Sequence, residues 1–306
     1  MTTPPIAGDG ADLLALADDI WRRWRRVRIH GGFVARNVDT GRRICVDPDR
    51  LWPLASVAKV PLALVVADRI ARGELAGDRM ITIDPARRSE GPTGLSTFRH
   101  PATCAVADLL GQMIAISDNA AADALFELVP PAEVTSRLRQ WGVDAVHVRH
   151  PMHLMYEAAT RVAGPDFTLG RRLAVEGARP DGGHVIDSLD IHRATVGSAA
   201  ALADLVCRIW TGDIDAAEDA CAAVRDAMYR QLLNPRIGAD LQADDIRIAG
   251  KTGSFLTLRH EIGLVEYGSS RIAVAALAAS ERTARIQQDV DLAIGAAARD
   301  AVEALA

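Results

Sequence analysis

Between Ala55 and Ala67 the chain carries one charged residue, Lys59, among alanines, valines, leucines, a proline and Ser56. Apolar on every side until Asp68, residues 57–72 read as a helix that the rest of the protein must enclose. A charged amine is expensive in such a place, so its presence calls for a chemical reason. The basic inventory sharpens the point. Of 35 Lys plus Arg, only Lys59 and Lys251 are lysine. Arginine does not deprotonate in a protein, whereas a buried lysine can titrate and act as a base. Ser56 precedes Lys59 by three residues, about one helical turn, so the amine can reach the hydroxyl. That is the arrangement a serine nucleophile with a lysine base requires.

The flanking sequence predicts a mixed fold. An amphipathic helix is expected over residues 11–27, then a hairpin pairing 32–38 with 43–46 across Asp39-Thr40-Gly41-Arg42. Residues 74–104 read mostly as loop, with one extended piece at 80–83. Helices are expected at 106–116, 120–128, 132–141, 198–210 and 216–233. Strand character returns at 246–252, 261–267 and 270–277, with Gly268-Ser269 as a tight turn, before a closing helix at 282–304. Glycines and prolines break every periodicity in 150–193, which reads as a long connection of the kind that is either a functional lid or mobile.

Composition excludes several function classes. A net charge of -5 argues against nucleic acid or an anionic membrane surface as partner. The basic cluster Trp21–Arg26 reads as the solvated end of the first helix. Cys45, Cys104, Cys207 and Cys221 lack metal-ligand spacing and read as buried thiols, so no metal or other cofactor is expected. The first residues carry no basic and apolar leader pattern, and no apolar run reaches the length of a membrane span. A soluble, cytoplasmic protein is the expectation.

Two more short motifs complete a set: Ser117-Asp118-Asn119 in the loop after a helix, and Lys251-Thr252-Gly253 on a strand. With Ser56-x-x-Lys59 at a helix start, the order and contexts match the signature of class A β-lactamases and penicillin-binding proteins. The chain resembles a class A β-lactamase-type serine hydrolase from the first hairpin to the closing helix, with only 150–193 outside the likeness. The resemblance implies an α/β (α+β) fold in which an antiparallel sheet is flanked by helices and an all-α region is inserted. Residues 1–55 and 235–306 would form the sheet domain, and 56–234 the all-α domain, with an extended Ω-like loop at 150–193.

The resemblance also implies roles. Ser56 attacks an amide carbonyl and becomes acylated, Lys59 takes the proton, and Ser117 relays one to the leaving nitrogen. The backbone N–H groups of Ser56 and Ser254 form the oxyanion hole. Asn119 holds Lys59 and the substrate amide, while Lys251, Thr252 and Ser254 bind a carboxylate on a small acyl substrate. The family's deacylating glutamate has no matching motif here. Glu157 and Glu176 are the available acids in that region, with His153 and His184 weaker candidates. Three outcomes stay open on this sequence: a β-lactam hydrolase, an esterase, amidase or acyltransferase on the same fold, and an acylated sensor or binding module without turnover.

Overall fold

The computed structural model describes residues 4–241, 243, 245–284 and 286–306. Its main sheet draws on both ends of the chain. Strands β1 (Ile6–Gly8), β2 (Ile29–Asn37) and β3 (Arg43–Val46) come from the first, and β4 (Trp52–Pro53) leads out of the sheet. Strands β5 (Met80–Ile83), β6 (Ala102–Ala105), β7 (Val146–His147) and β8 (Val196–Gly197) lie in the middle of the chain. Strands β9 (Ile246–Phe255), β10 (Leu258–Tyr267) and β11 (Ser270–Ser280) return to the main sheet, whose order is β1-β3-β2-β11-β10-β9, antiparallel throughout.

The sheet is covered on both faces, and β11 shows why its sequence is apolar without alternation. Ile272, Val274, Ala276 and Ala278 enter one core, shared with helices α1 (Ala11–Arg26) and α10 (Gln288–Leu305). Ala273, Ala275 and Leu277 enter the other, where the remaining helices pack. These are α2 (Lys59–Ala71), α3 (Val106–Ala115), α4 (Asn119–Leu128), α5 (Pro131–Gln140), α6 (Met152–Ala163), α7 (Phe167–Glu176), α8 (Ala199–Thr211) and α9 (Glu218–Tyr229). Helix α2 is buried from Lys59 to Asp68 and enclosed by α3, α4, α5 and α9, as its sequence requires.

The structure departs from the sequence reading in three places. Residues 150–193 are not a structureless connection: α6 and α7 occupy much of them. Met152, Met155, Ala159 and Ala163 make a buried stripe at helical spacing, cut short by Gly164 at φ 60°. Asp166 then caps α7, accepting the N–H groups of Thr168 and Leu169. Residues 102–105, read as loop, pair with β5. The closing helix begins at Gln288 and not at Arg282; residue 285 lies outside the described residues. Three arginines of the α1 cluster are ion-paired, Arg22 to Asp18, Arg23 to Asp19 and Asp300, and Arg25 to Glu281. The four cysteines are free, with Cys45, Cys207 and Cys221 buried. No helix among the described residues is long and apolar enough to cross a membrane.

Candidate active site

The chain enters the site from β4 through a sharp turn. Ala55 takes a left-handed φ of 47°, and residues Ala55–Ala58 form a 3-10 turn before α2 begins at Lys59. Pro61 fixes the start of α2, because only in the first turn is a missing N–H harmless. The 3-10 turn matters chemically. Side chains three apart eclipse in that geometry, which sets Ser56 and Lys59 on one side of the chain more squarely than an α-helix would. The Lys59 N–H donates to the carbonyls of Ser56 and Val57 and closes the turn.

Lys59 is wholly buried, and its amine sits among oxygens. Nζ lies 2.7 Å from the Ser117 carbonyl, 2.7 Å from Asn119 Oδ1 and 3.2 Å from Ser117 Oγ. The first two can only accept, so they take two N–H groups and leave the third position of the nitrogen facing the Ser117 hydroxyl. Burial lowers the amine pKa to about 7, against the opposing pull of Asp123 and Asp118. Near neutrality Lys59 is therefore present in both forms, as a proton acceptor must be.

Ser117 also holds a left-handed φ, 59°, which turns its carbonyl toward Lys59. Asp118 fixes that turn. It caps α4 through the N–H groups of Ala120 and Ala121, and it also accepts from Leu95 N at 2.6 Å and Ser96 Oγ at 3.1 Å. One buried carboxylate thus ties the 91–97 loop to the motif. Asn119 faces both ways, accepting from Lys59 and donating Nδ2 to the Glu90 carbonyl at 2.8 Å.

The third motif lies on β9, the edge strand. Thr252 donates its N–H to Gln231 Oε1 at 2.8 Å, so it points off the sheet. Alternation along the strand gives the Ser254 N–H the same direction. Gly253 brings that strand against the nucleophile turn: a Cβ there would meet the Leu54 carbonyl at 3.0 Å and the Val57 nitrogen at 3.1 Å. Lys251 is completely buried, and its Nζ donates to the Thr252 carbonyl at 3.0 Å. Burial, the nearby Lys59 and Arg236 all press its amine toward neutrality, with Glu261 opposing them.

These elements enclose a cavity of about 260 Å³ lined by Ser56, Ser117, Asn119, Thr252 and Ser254, with Tyr156 on its wall. Lys251 stands behind that surface. None of the lining residues is an aspartate or glutamate. Glu157 is exposed and Glu176 faces Arg172 at 3.9 Å on the surface; neither lines the cavity. His153 is held by Asp123 at 3.1 Å. His184 is buried, with Nδ1 accepting from Ile186 N and Nε2 directed to the Ala174 carbonyl, and it pins the loop after α7. Helix α6 presents Tyr156 to the cavity, edge-on to Phe255 at 5.4 Å.

Four contributors went unread in the sequence: Tyr156, Gln231, Arg236 and Glu261. Arg236 donates to Ser254 Oγ at 2.7 Å, the His260 carbonyl at 2.8 Å and Asp291 at 2.8 Å. Glu261 is buried on β10 and accepts from the N–H groups of Arg236 and Ile237 at 3.0 and 2.8 Å. Burial raises its carboxyl to about 7. Together with Gln231 it ties the 231–237 loop to β9. Glu261, one of two acids in the otherwise apolar strand run 261–267, is the one signal that pointed to any of them.

Comparison with known proteins bears on the family and the fold. The family model described as the beta-lactamase enzyme family matches residues 15–305. A relative from Streptomyces cacaoi, named beta-lactamase regulatory protein BlaB, is 38% identical over 282 residues, covering 88% of this chain and 90% of the relative. A beta-lactamase from Chitinophaga pinensis superposes with a TM-score of 0.78 at 19% identity, over 95% of this chain and 100% of the other. The structure of PBP-A gives 0.73 at 19% identity, over 99% and 100%. A beta-lactamase from Sphaerobacter thermophilus gives 0.74 at 19%, over 96% of each. At these identities the structures speak for the fold alone.

Proposed function

The chain belongs to the beta-lactamase enzyme family, and from that premise we propose that Ser56 is an acylating nucleophile for β-lactams or related amides whose acyl-enzyme is released slowly. Lys59 in its neutral form takes the Ser56 proton, and Ser117, bonded to the same amine, delivers one to the departing nitrogen. The Ser56 and Ser254 N–H groups receive the oxyanion. A carboxylate on the substrate would lie against Thr252, Ser254 and Arg236, with Lys251 adding positive potential from behind.

The observation that carries the slow-release half is the lining of the cavity. Acylation needs a base at Ser56, and Lys59 is poised to serve. Hydrolysis needs a second base to activate water on the acyl-ester, and the wall of the cavity beside Ser56 carries Tyr156 and neither aspartate nor glutamate. The two acids whose charge acts on Lys59 are committed: Asp118 to the cap and loop, and Asp123 to Ser89, His153 and the N–H groups that start α6. A protein that keeps its acyl group reports exposure to the acylating compound, which agrees with the regulatory name of the Streptomyces relative. Incubation with benzylpenicillin followed by intact-mass measurement tests the reading, alongside turnover of a chromogenic cephalosporin. A persistent adduct on Ser56, absent in Ser56→Ala, with turnover far below the acylation rate, is the expected outcome. Fast turnover without an accumulated adduct overturns slow release; no adduct overturns the β-lactam assignment.

A further inference from the structure

The loop that follows α9 is folded with its polar residue inward and its apolar residues outward. In Gln231-Leu232-Leu233 the glutamine is 8% exposed and the two leucines 74% each. The backbone there is anchored. Gln231 Oε1 accepts the Thr252 N–H at 2.8 Å, and its Nε2 donates to Asn234 Oδ1 at 2.6 Å. Leu232 donates its own N–H to the Ala115 carbonyl at 3.1 Å, and Glu261 holds the N–H groups of Arg236 and Ile237 farther on. Both leucines are therefore kept at the surface by a fixed turn.

A single exposed leucine calls for no explanation, but an apolar patch fixed beside a cavity marks a place where something binds. Leu232 and Leu233 line the cavity that holds Ser56. So does Ile116, whose Cδ1 packs over Gly94 in the 91–97 loop. None of the residues lining this cavity carries a charge. Among the described residues only one other large apolar side chain is as exposed, Ile286 at 76%, and it borders the adjoining recess that shares Ser254 and Tyr156 with this one. Exposed apolar surface thus gathers around the nucleophile.

Ser117 says which half of a compound meets the leucines. Ile116 immediately precedes it, and the bond from Leu232 to Ala115 brings the leucine pair to the same stretch of chain. Where Ser117 hands a proton to the departing nitrogen, the group attached to that nitrogen lies nearest these apolar side chains. We propose that Ile116, Leu232 and Leu233 form a subsite for an apolar group, alkyl or aromatic, carried on the nitrogen side of the amide that Ser56 attacks. The nitrogen-side assignment rests on the acylation reading, while the apolar subsite itself can be measured without any reaction.

The test titrates the Ser56→Ala protein by NMR with N-acetylglycyl-leucine, in each chiral form, and with N-acetylglycyl-glycine. The compounds share one amide and one carboxylate and differ in the isobutyl group on the nitrogen side. One leucine form is expected to bind about tenfold or more tightly than the glycine compound, the scale of covering roughly half of an isobutyl group. In a Leu232→Ser, Leu233→Ser double variant, shown by its thermal melt to be folded, the ratio should fall to about one. Equal affinities, no measurable binding of either leucine form, or a ratio indifferent to the double substitution overturns the subsite. So does self-association that the double substitution abolishes, with no preference between compounds, since the leucines would then serve a contact between copies. In the Ser56 protein the tighter leucine form should slow formation of the benzylpenicillin adduct; binding without competition overturns the claim that the patch serves the Ser56 substrate. Absence of any adduct counts against the acylation reading alone, and the titration still decides the apolar subsite.

Discussion

Lys59 is a group whose function depends on the form it takes near neutral pH. Its amine must be neutral to accept the Ser56 proton, and burial sets its pKa at about 7. The acylation rate should therefore rise with pH through about 7 and level above it, since the neutral form is the base. Stopped-flow or quenched mass measurement of adduct formation from pH 5.5 to 9 gives the profile; a rate flat across that range excludes Lys59 as the titrating base. Lys59→Arg should lose acylation by about a thousandfold or more, because a guanidinium keeps its proton. The same shift has a cost in stability. The unfolded lysine holds a proton up to 10.5 while the folded one gives it up near 7, so stability gained from this group rises with pH across that window.

At the scale of elements, the site is a junction between an edge strand and a turn, and Gly253 is the joint. A β-carbon there meets backbone on both counts, the Leu54 carbonyl and the Val57 nitrogen, and backbone has no rotamer with which to yield. Gly253→Ala should push β9 away from the Ser56 turn, costing about 1–3 kcal/mol of stability. It should lower acylation by about a hundredfold, because the Ser254 N–H moves off the oxyanion. Thermal unfolding and adduct kinetics on the same preparation separate the two effects; full activity would mean the strand does not supply the hole. The elements nearest the site were also the easiest to read. Helix α2 announces itself through an apolar run that no exposed helix could tolerate, and Ser117-Asp118-Asn119 is legible because a cap and a motif coincide there. Helices α6 and α7 were harder. Their stripes are short and built partly of alanine and methionine, and Gly164, Pro165 and Asp166 between them read as a break when they in fact end one helix and cap the next.

At the scale of the whole molecule, His260 locks the sheet to the nucleophile turn. It is buried on β10, its Nδ1 accepts the Ala278 N–H at 3.0 Å, and Nε2 therefore carries the proton and donates to the Pro53 carbonyl at 2.8 Å. Only the neutral ring makes both bonds, and burial lowers its pKa to about 3. The unfolded chain binds that proton near 6.5, so stability from this group is present above 6.5 and lost as pH falls toward 3. His30, lowered to about 4 by burial and Arg50, adds to the same loss. His260→Leu should cost about 2–4 kcal/mol at pH 7 by leaving both partners unpaired, and should make the acid limb of the stability curve shallower. Urea titrations at pH 7 and pH 5 measure both; an unchanged acid slope would remove His260 as its source.

The sequence by itself determined where the proposed nucleophile and its base lie. A lysine in an apolar helix, a serine three residues before it and two further motifs in order were legible because each signal is local: a spacing, a cap, a choice of lysine over arginine. It also determined that strands from both chain ends share a covered sheet, since such runs are apolar on both faces. Tertiary structure alone decided what stands around Ser56. Tyr156 on the wall, Arg236 on Ser254 and Glu261 beneath the loop come from elements far apart in the chain. Among 33 arginines and many acids, nothing in their immediate neighbours sets them apart. Long-range packing assembles those residues, and with them the lining of the cavity beside Ser56.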